Sequence, residues 1–304
     1  MSAFSSLIGQ PQAVELLSQA IARNRVAPAY LFAGSSGVGK RLAAESFAAL
    51  LFKDARRVKQ RNHPDLLWVE PTYLHQGKRL SPTEAEAAGV KKKTPPQVRL
   101  EQVREITRFL SRPPLEASRS LVIIDQADTM AEPAANALLK TLEEPGQATL
   151  ILLAPSPDAL LPTLVSRCQK IPFYRLDHEN MAQVLEKTGQ GEILQHSEVL
   201  ALAQGSPGEA IAHWQQLQTI PQEILLAVTR RPQSLKEVLT IARQISKTLD
   251  SEAQLWLVDY LQQIYWQQSI GVISLQKLEK AREYLKVAQS QLVWEVTLTG
   301  MMQP

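Results

Sequence analysis

The residues whose types and spacing most directly suggest chemistry are Gly34, Gly37, Gly39 and Lys40, in the segment GSSGVGKR (34–41). They fit GxxxxGK, a pattern whose backbone N–H groups converge on a phosphate at the positive end of the following helix. Lys40 would add a positive charge beside the terminal phosphates. The pattern fails at its last position. A Ser or Thr hydroxyl there binds Mg²⁺, and this chain has Arg41. An arginine cannot ligate a cation and brings a positive charge near the metal position instead. A second segment, LVIIDQAD (121–128), ends an apolar run on Asp125. That carboxylate could face a metal beside the loop, or it could cap a neighbouring turn. Gln126 follows it, and an amide cannot take a proton from an attacking water. The expected outcome is a degenerate site: ATP or ADP bound weakly or not at all, without hydrolysis, and no required cofactor.

These groups need a strand before the loop and a helix after it. AYLFAG (29–34) supplies the strand and KRLAAESFAALLF (40–52) the helix. Further apolar runs at 66–70, 121–125, 149–155 and 168–173 read as strands. Helical spacing appears at 12–24, 99–112 and 132–145. Such alternation predicts a mostly parallel sheet covered by helices. Residues 71–98 interrupt it with a polar excursion, helical near 83–88. Its lysines Lys91, Lys92 and Lys93 could touch DNA, though charge runs more often sit in water. Beyond residue 176 the strands stop. Helices are expected at 177–189, with Asp177 as N-cap, at 197–205 and at 206–217. Residues 222–304 carry three apolar stripes: Leu235, Val238, Leu239, Ala242 and Ile245; Leu255, Val258, Leu261, Ile264 and Tyr265; and Leu278, Ala281, Leu285, Ala288 and Leu292. Three stripes in series predict a helical bundle.

The chain has 304 residues, enough for two or three domains, and 44% hydrophobic content, enough for a sizeable core. A net charge of +3 suits a nucleic-acid partner without demanding one. Cys168 is the single cysteine, which excludes an intrachain disulfide and a multi-thiolate zinc site. No apolar run approaches the ~20 residues that span a bilayer, and MSAFSSLIGQ lacks the pattern of a signal peptide. A reducing, cytoplasmic setting is the expectation. His63, beside Pro64, is read as structural.

Several segments in order carry a resemblance: IGQPQAVELL (8–17), PAYLFAGSSGVGK (28–40), NHPDLLWVEP (62–71), RLEQVREI (99–106), ANALLKTLEEP (135–145) and LPTLVSRCQKIPF (161–173). Together they resemble the delta-prime and gamma/tau subunits of bacterial DNA polymerase III clamp loaders, in the AAA+ family. The likeness is dense over residues 1–215 and weak in the helical tail. The 71–98 segment is similar to cyanobacterial and plastid-type versions. The resemblance implies an α/β RecA-like AAA+ fold over residues 1–175, a small helical lid over 176–214 and an all-α collar over 215–304. The collar would join subunits into a hetero-oligomeric ring. The implied partners are gamma/tau and delta subunits, the sliding clamp, and primed DNA through the complex; no membrane is involved.

The resemblance also singles out departures. Hydrolysing members have Lys-Thr or Lys-Ser where this chain has Lys40-Arg41, and Glu where it has Gln126. The sensor position after the 149–155 strand is normally polar, and here it is Pro155. The second sensor arginine is replaced in Gly205-Ser206-Pro207-Gly208. These changes imply a retired ATPase of the delta-prime branch. Ser166, Arg167 and Cys168 keep the SRC motif, whose arginine acts as a finger on ATP held by a neighbouring subunit. Cys168 itself reads as packed. The four-cysteine zinc module of the family is missing from 52–63, so no zinc is expected. Two alternatives stay open. One is an active gamma/tau-like ATPase, favoured by Lys40 and Asp125. The other is a DNA-binding or loader protein, using Arg99, Arg104 and Arg108 against phosphates.

Overall fold

The computed structural model describes residues 4–90, 94–230, 232–267 and 272–302. Lys91, Lys92 and Lys93 lie outside the described residues. The chain divides into two compact units, Met1–Asn180 and Met181–Pro304.

Among its described residues the first unit has seven strands: β1 (Ala29–Ala33), β2 (Leu66–Val69), β3 (Tyr73–His75), β4 (Lys78–Leu80), β5 (Ser120–Ile124), β6 (Ala148–Ala154) and β7 (Gln169–Pro172). Five of them form one sheet in the order β2-β5-β6-β1-β7, and every pairing in it is parallel. The helices around them are α1 (Pro11–Ala22), α2 (Lys40–Phe52), α3 (Ala55–Lys59), α4 (Pro82–Ala87), α5 (Leu100–Leu110), α6 (Glu132–Glu143) and α7 (Pro162–Val165).

Successive strand residues point to opposite faces, so a sheet covered on both sides needs continuous apolar strands. Strand β6 meets that demand with all seven residues of ATLILLA buried. Tyr30, Phe32, Ile123 and Ile151 go to one face, with Leu17 of α1 and Phe47 of α2. Leu31, Val122, Leu150 and Leu152 go to the other, with Ile106 of α5 and Leu138 of α6. The five expected strands and the parallel sheet are all present.

The excursion at 71–98 contains more structure than its polarity predicts. Strands β3 and β4 pair antiparallel around the turn at Gln76 and Gly77, both at positive φ, and α4 follows with Ser81 and Glu84 in a reciprocal capping box. The hairpin is too short and too exposed for the alternation of apolar residues that marks a strand.

The remaining helices are α8 (His178–Lys187), α9 (Ser197–Ala203), α10 (Pro207–Thr219), α11 (Gln222–Thr229), α12 (Leu235–Thr248), α13 (Ser251–Gln267), α14 (Val272–Tyr284) and α15 (Ser290–Met302). Asp177 caps α8, its Oδ1 accepting from the Asn180 amide at 2.8 Å. The second unit is all-helical and packs around Trp294, Tyr265, Leu257 and Leu261. Its buried polar groups find partners: Trp294 Nε1 donates to Gln254 Oε1, and Tyr265 Oη donates to the Val228 carbonyl. The third expected stripe is broken. Helix α14 ends at Tyr284, Leu278 and Ala281 are buried on it, and Leu292 sits exposed on α15. The helical spacing ran on by coincidence through a turn. In the first stripe Val238, Ala242 and Ile245 are buried, while Leu235 and Leu239 face outward.

One buried carboxylate organises the entry to β5. Asp65 is 2% exposed and accepts the backbone N–H groups of Leu115, Glu116 and Ala117 at 2.6, 2.8 and 2.7 Å. Burial alone would raise its pKa, but the three N–H donors outweigh that and hold it below the usual aspartate value. A carboxylate with a depressed pKa stabilises the fold above its unfolded pKa, and that contribution fades as pH falls through the folded one. Asp65→Asn should therefore cost about 2–3 kcal/mol at neutral pH. In denaturant titrations the gap from the parent protein should narrow below about pH 4. A gap that stays constant down to pH 2 would contradict this account.

Candidate functional site: a phosphate loop with an internal cation

The loop joining β1 to α2 lies at the C-terminal edge of the sheet, where open parallel sheets place their ligand sites. Gly37 and Gly39 adopt φ of +71° and +102°, which the curl of the loop requires. Gly34 leaves the strand pressed against the next one. A β-carbon there would overlap the Phe173 carbonyl oxygen and lie 2.8 Å from the Phe173 Cβ. Lys40 Nζ donates to the carbonyls of Gly34 and Ser35, so its charge sits inside the loop. A cleft of about 600 Å³ opens here, lined by Gly37, Gly39, Lys40, Arg41, Glu45, Asp125, Gln126, Asp128 and Pro155, among others.

Of the predicted phosphate-site residues, Gly37, Gly39, Lys40 and Asp125 line this cleft together, and Gly34 packs against Phe173 where the loop begins. Gln126 and Pro155 line it too. Gln126 holds a φ of +46°, and its amide donates to Asp125 Oδ1 at 2.9 Å. Gly208 opens helix α10 in the second unit, after Ser206, whose hydroxyl caps that helix through the Glu209 amide.

Arg41 decides the chemistry of the cleft. Its guanidinium pairs with Glu70 through Nη2 and approaches Asp125 Oδ2 at 3.3 Å through Nη1. Glu70 follows β2 and Asp125 follows β5, so the two acids stand at the ends of neighbouring parallel strands. Arg61 takes the same Glu70 oxygen at 2.8 Å. Both guanidinium groups lie over the Trp68 ring, at 5.2 and 4.6 Å from its centroid. Burial raises the pKa of Asp125, and Arg41 works against that shift more than any other neighbour. The carboxylate that should face a divalent cation is thus engaged by a guanidinium, so these residues do not fit Mg²⁺. Among the described residues, no cluster of three or more His, Cys, Asp or Glu side chains could hold a metal ion. His63 is buried, stacked on Phe52 with ring centroids 4.1 Å apart, and accepts the Asp65 amide.

Arg167 does not line the cleft. It follows α7, donates through Nη1 to the Thr163 carbonyl at 2.9 Å and through Nη2 to Glu143 Oε1 at 2.7 Å. The side chain is 36% exposed and Glu143 is half-exposed. Ser166 donates to Thr163 as well. Of the alternative DNA-facing arginines, Arg99 is tucked in, with its Nε buried, and Arg104 and Arg108 face outward along α5. Reading the sequence missed Glu70, Arg61, Trp68 and Glu143. Glu70 had a signal, since it directly follows an apolar strand as Asp125 does.

Known proteins resemble this chain along most of its length. Residues 9–177 match the family model for DNA polymerase III, delta subunit. Residues 179–301 match that for the cyanobacterial DNA polymerase III delta prime, C-terminal domain. The DNA polymerase III subunit delta′ of Bacillus subtilis is 34% identical over 180 residues, 55% of this chain and 48% of that protein. That of Pseudomonas aeruginosa is 34% identical over 210 residues, 63% of this chain and 57% of that protein. The chain thus spans about half the length of the curated relatives it matches. A solved gamma-subunit-related protein from Thermotoga maritima shares the fold, with a TM-score of 0.56 at 18% identity, over 96% of this chain and 99% of that one.

Cys168 adjoins Arg167, and its reactivity separates a packed thiol from a nucleophile. Burial pushes it up to about 11. At pH 8 the native thiol should therefore react with a disulfide reagent roughly a hundredfold more slowly than the thiol of the unfolded chain, whose pKa is about 8.5. Equal rates for native and unfolded protein would show that the thiol is accessible and ionised.

Proposed function

The chain belongs to the delta-prime family of DNA polymerase III subunits, with a C-terminal region of the cyanobacterial type, and on that premise we propose that it is a non-hydrolysing member of a clamp loader that lends Arg167 to the ATP site of a neighbouring subunit. The observation that carries this reading is the contrast between two arginines. Arg41 neutralises the acid where the chain's own metal would sit. Arg167 stands at the surface with its direction set by the Thr163 carbonyl and Glu143.

A guanidinium has five N–H donors in a plane. Arg167 engages its two terminal nitrogens with neighbours and keeps further donors for an incoming anion. Supplied in trans, such a group stabilises charge on a transferring phosphoryl and raises the rate by about 10³–10⁵. The hydrolytic centre itself belongs to the neighbour. In this reading residues 1–175 form the nucleotide-type domain, 176–214 the lid and 215–304 the collar. The collar binds gamma/tau and delta subunits in a ring that places the sliding clamp on primed DNA in the cytoplasm. The exposed apolar residues Leu235 and Leu239 on α12, and Leu292 and Val296 on α15, support a binding role for that region. No helix among the described residues is long and apolar enough to cross a membrane. The protein requires neither zinc nor its own ATP turnover.

Two measurements test the reading. The isolated chain should release phosphate from ATP no faster than its Lys40→Ala variant; a clear excess would return it to the active ATPases. In a reconstituted loader, Arg167→Ala should leave assembly intact and lower clamp- and DNA-stimulated hydrolysis about tenfold or more, with Ser166→Ala doing less. Full hydrolysis with Arg167→Ala would remove the finger role.

A further inference from the structure

Helix α12 carries more apolar surface than its own core uses. Val238, Ile241, Ala242 and Ile245 are buried in the bundle. Leu235 and Leu239 lie outside that core, 58% and 45% exposed. Four residues apart, they stand one above the other on a single face of the helix. Beside them runs a row of exposed cations, Lys236, Arg243 and Lys247, also at helical spacing. Helix α15 begins where α12 ends, with the Ser246 and Ser290 hydroxyls 2.9 Å apart. A groove of about 850 Å³ lies between the two helices. The two leucines and three cations line it from α12, and Gln291 and Glu295 line it from α15. We propose that this groove receives one acidic amphipathic helix of a partner protein. The proposal rests on the reading of residues 215–304 as a binding region and goes further by naming the chemistry of what binds there.

Three features select that occupant. The first is length. From Leu235 to Lys247 the helix rises about 18 Å, which gives three turns of a second helix room to lie alongside. The second is the apolar strip. Leu235 and Leu239 form a ridge that leucines spaced by three and four on an incoming helix can straddle. The third is charge. Glu295 is the single carboxylate in the lining among the described residues, and its Oε1 accepts from Gln291 Nε2 at 2.9 Å. Among the described residues, none of the three cations forms an ion pair within the chain. The groove is therefore net positive along an apolar strip. Glutamates or aspartates flanking a row of leucines complement it, as opposite charges flank the seam of a coiled coil. A nucleic-acid strand fits less well. The lining holds no aromatic ring on which a base could stack, and a phosphate backbone would leave the leucines in water.

The test is fluorescence anisotropy with the purified full chain. The probe is a labelled synthetic helix of about 18 residues, with leucines on one face, glutamates beside them and alanines behind. It should bind at least about tenfold more tightly than the same helix with lysine for glutamate, and more tightly than a single-stranded oligonucleotide of equal charge. Arg243→Glu and Leu239→Asp should each weaken binding about tenfold. Both side chains are exposed, and thermal melts check that the variants remain folded. The proposal is overturned by no binding at millimolar probe, by equal binding of the glutamate and lysine helices, or by variants that bind as the parent does. Preference for the oligonucleotide would overturn it too, and make the groove a phosphate surface. A dimer of the chain in sedimentation that Leu239→Asp dissolves would assign the groove to a second copy instead. The assay uses no other subunit and does not read Arg167, so failure here is distinct from failure of ring assembly or of the finger role.

Discussion

Two neighbouring parallel strands, β2 and β5, end on acids, and the structure must neutralise them. Glu70 and Asp125 emerge side by side at the edge where the phosphate loop also lies. Burying part of a carboxylate in a medium poorer than water costs several kcal/mol unless a cation meets it. In the nucleotide-hydrolysing design the cation is exchangeable. In this chain it is covalently part of α2. Arg41 therefore ties the first turn of that helix to both strands, and Arg61 reinforces the tie from the segment after α3. Trp68 gives the two guanidinium groups an aromatic surface to lie on. A single residue change at the end of a motif thus converts a variable site into a fixed one.

That conversion has a consequence for how the rest of the unit is used. Arg41 holds Asp125 from within the fold, where a hydrolysing site would use a divalent ion. The other elements of the nucleotide fold are kept at full packing. The sheet is buried on both faces, and Asp65 still pins the segment that leads into β5. Gln126 and Pro155 line the same cleft.

How much of this was legible in the sequence follows from the range of each interaction. The sheet strands were legible because double-sided burial demands unbroken apolar runs, and ATLILLA could hardly be anything else. The loop was legible because its glycines act locally, on their own backbone. The same holds for Arg41 as a defect, since the motif fixes its position. The partners of Arg41 were not legible. Glu70 lies 29 residues away, and only the pairing of β2 with β5 brings it beside Asp125. Glu143 meets Arg167 across 24 residues because α6 packs against α7. Asp65 carries no local mark of its role, because its three amide partners lie 50 to 52 residues on. The third stripe misled in the opposite sense. Periodicity carries no mark for a turn, so Leu292 continued a pattern that α14 had already ended at Tyr284.

The two arginines meet different surroundings. Arg41 meets two carboxylates, and its charge is fully answered. Arg167 meets one carboxylate and one carbonyl. Its acid partner, Glu143, is the last residue of α6, where the negative end of the helix disfavours another negative charge. Glu144 follows immediately. A cation in that place relieves repulsion that the helix end would otherwise carry, so Arg167 is drawn there without being enclosed. The pairing is half-exposed and worth little to stability, which leaves its geometry as the useful part. It holds a long, flexible side chain in one direction while 36% of that side chain stays exposed.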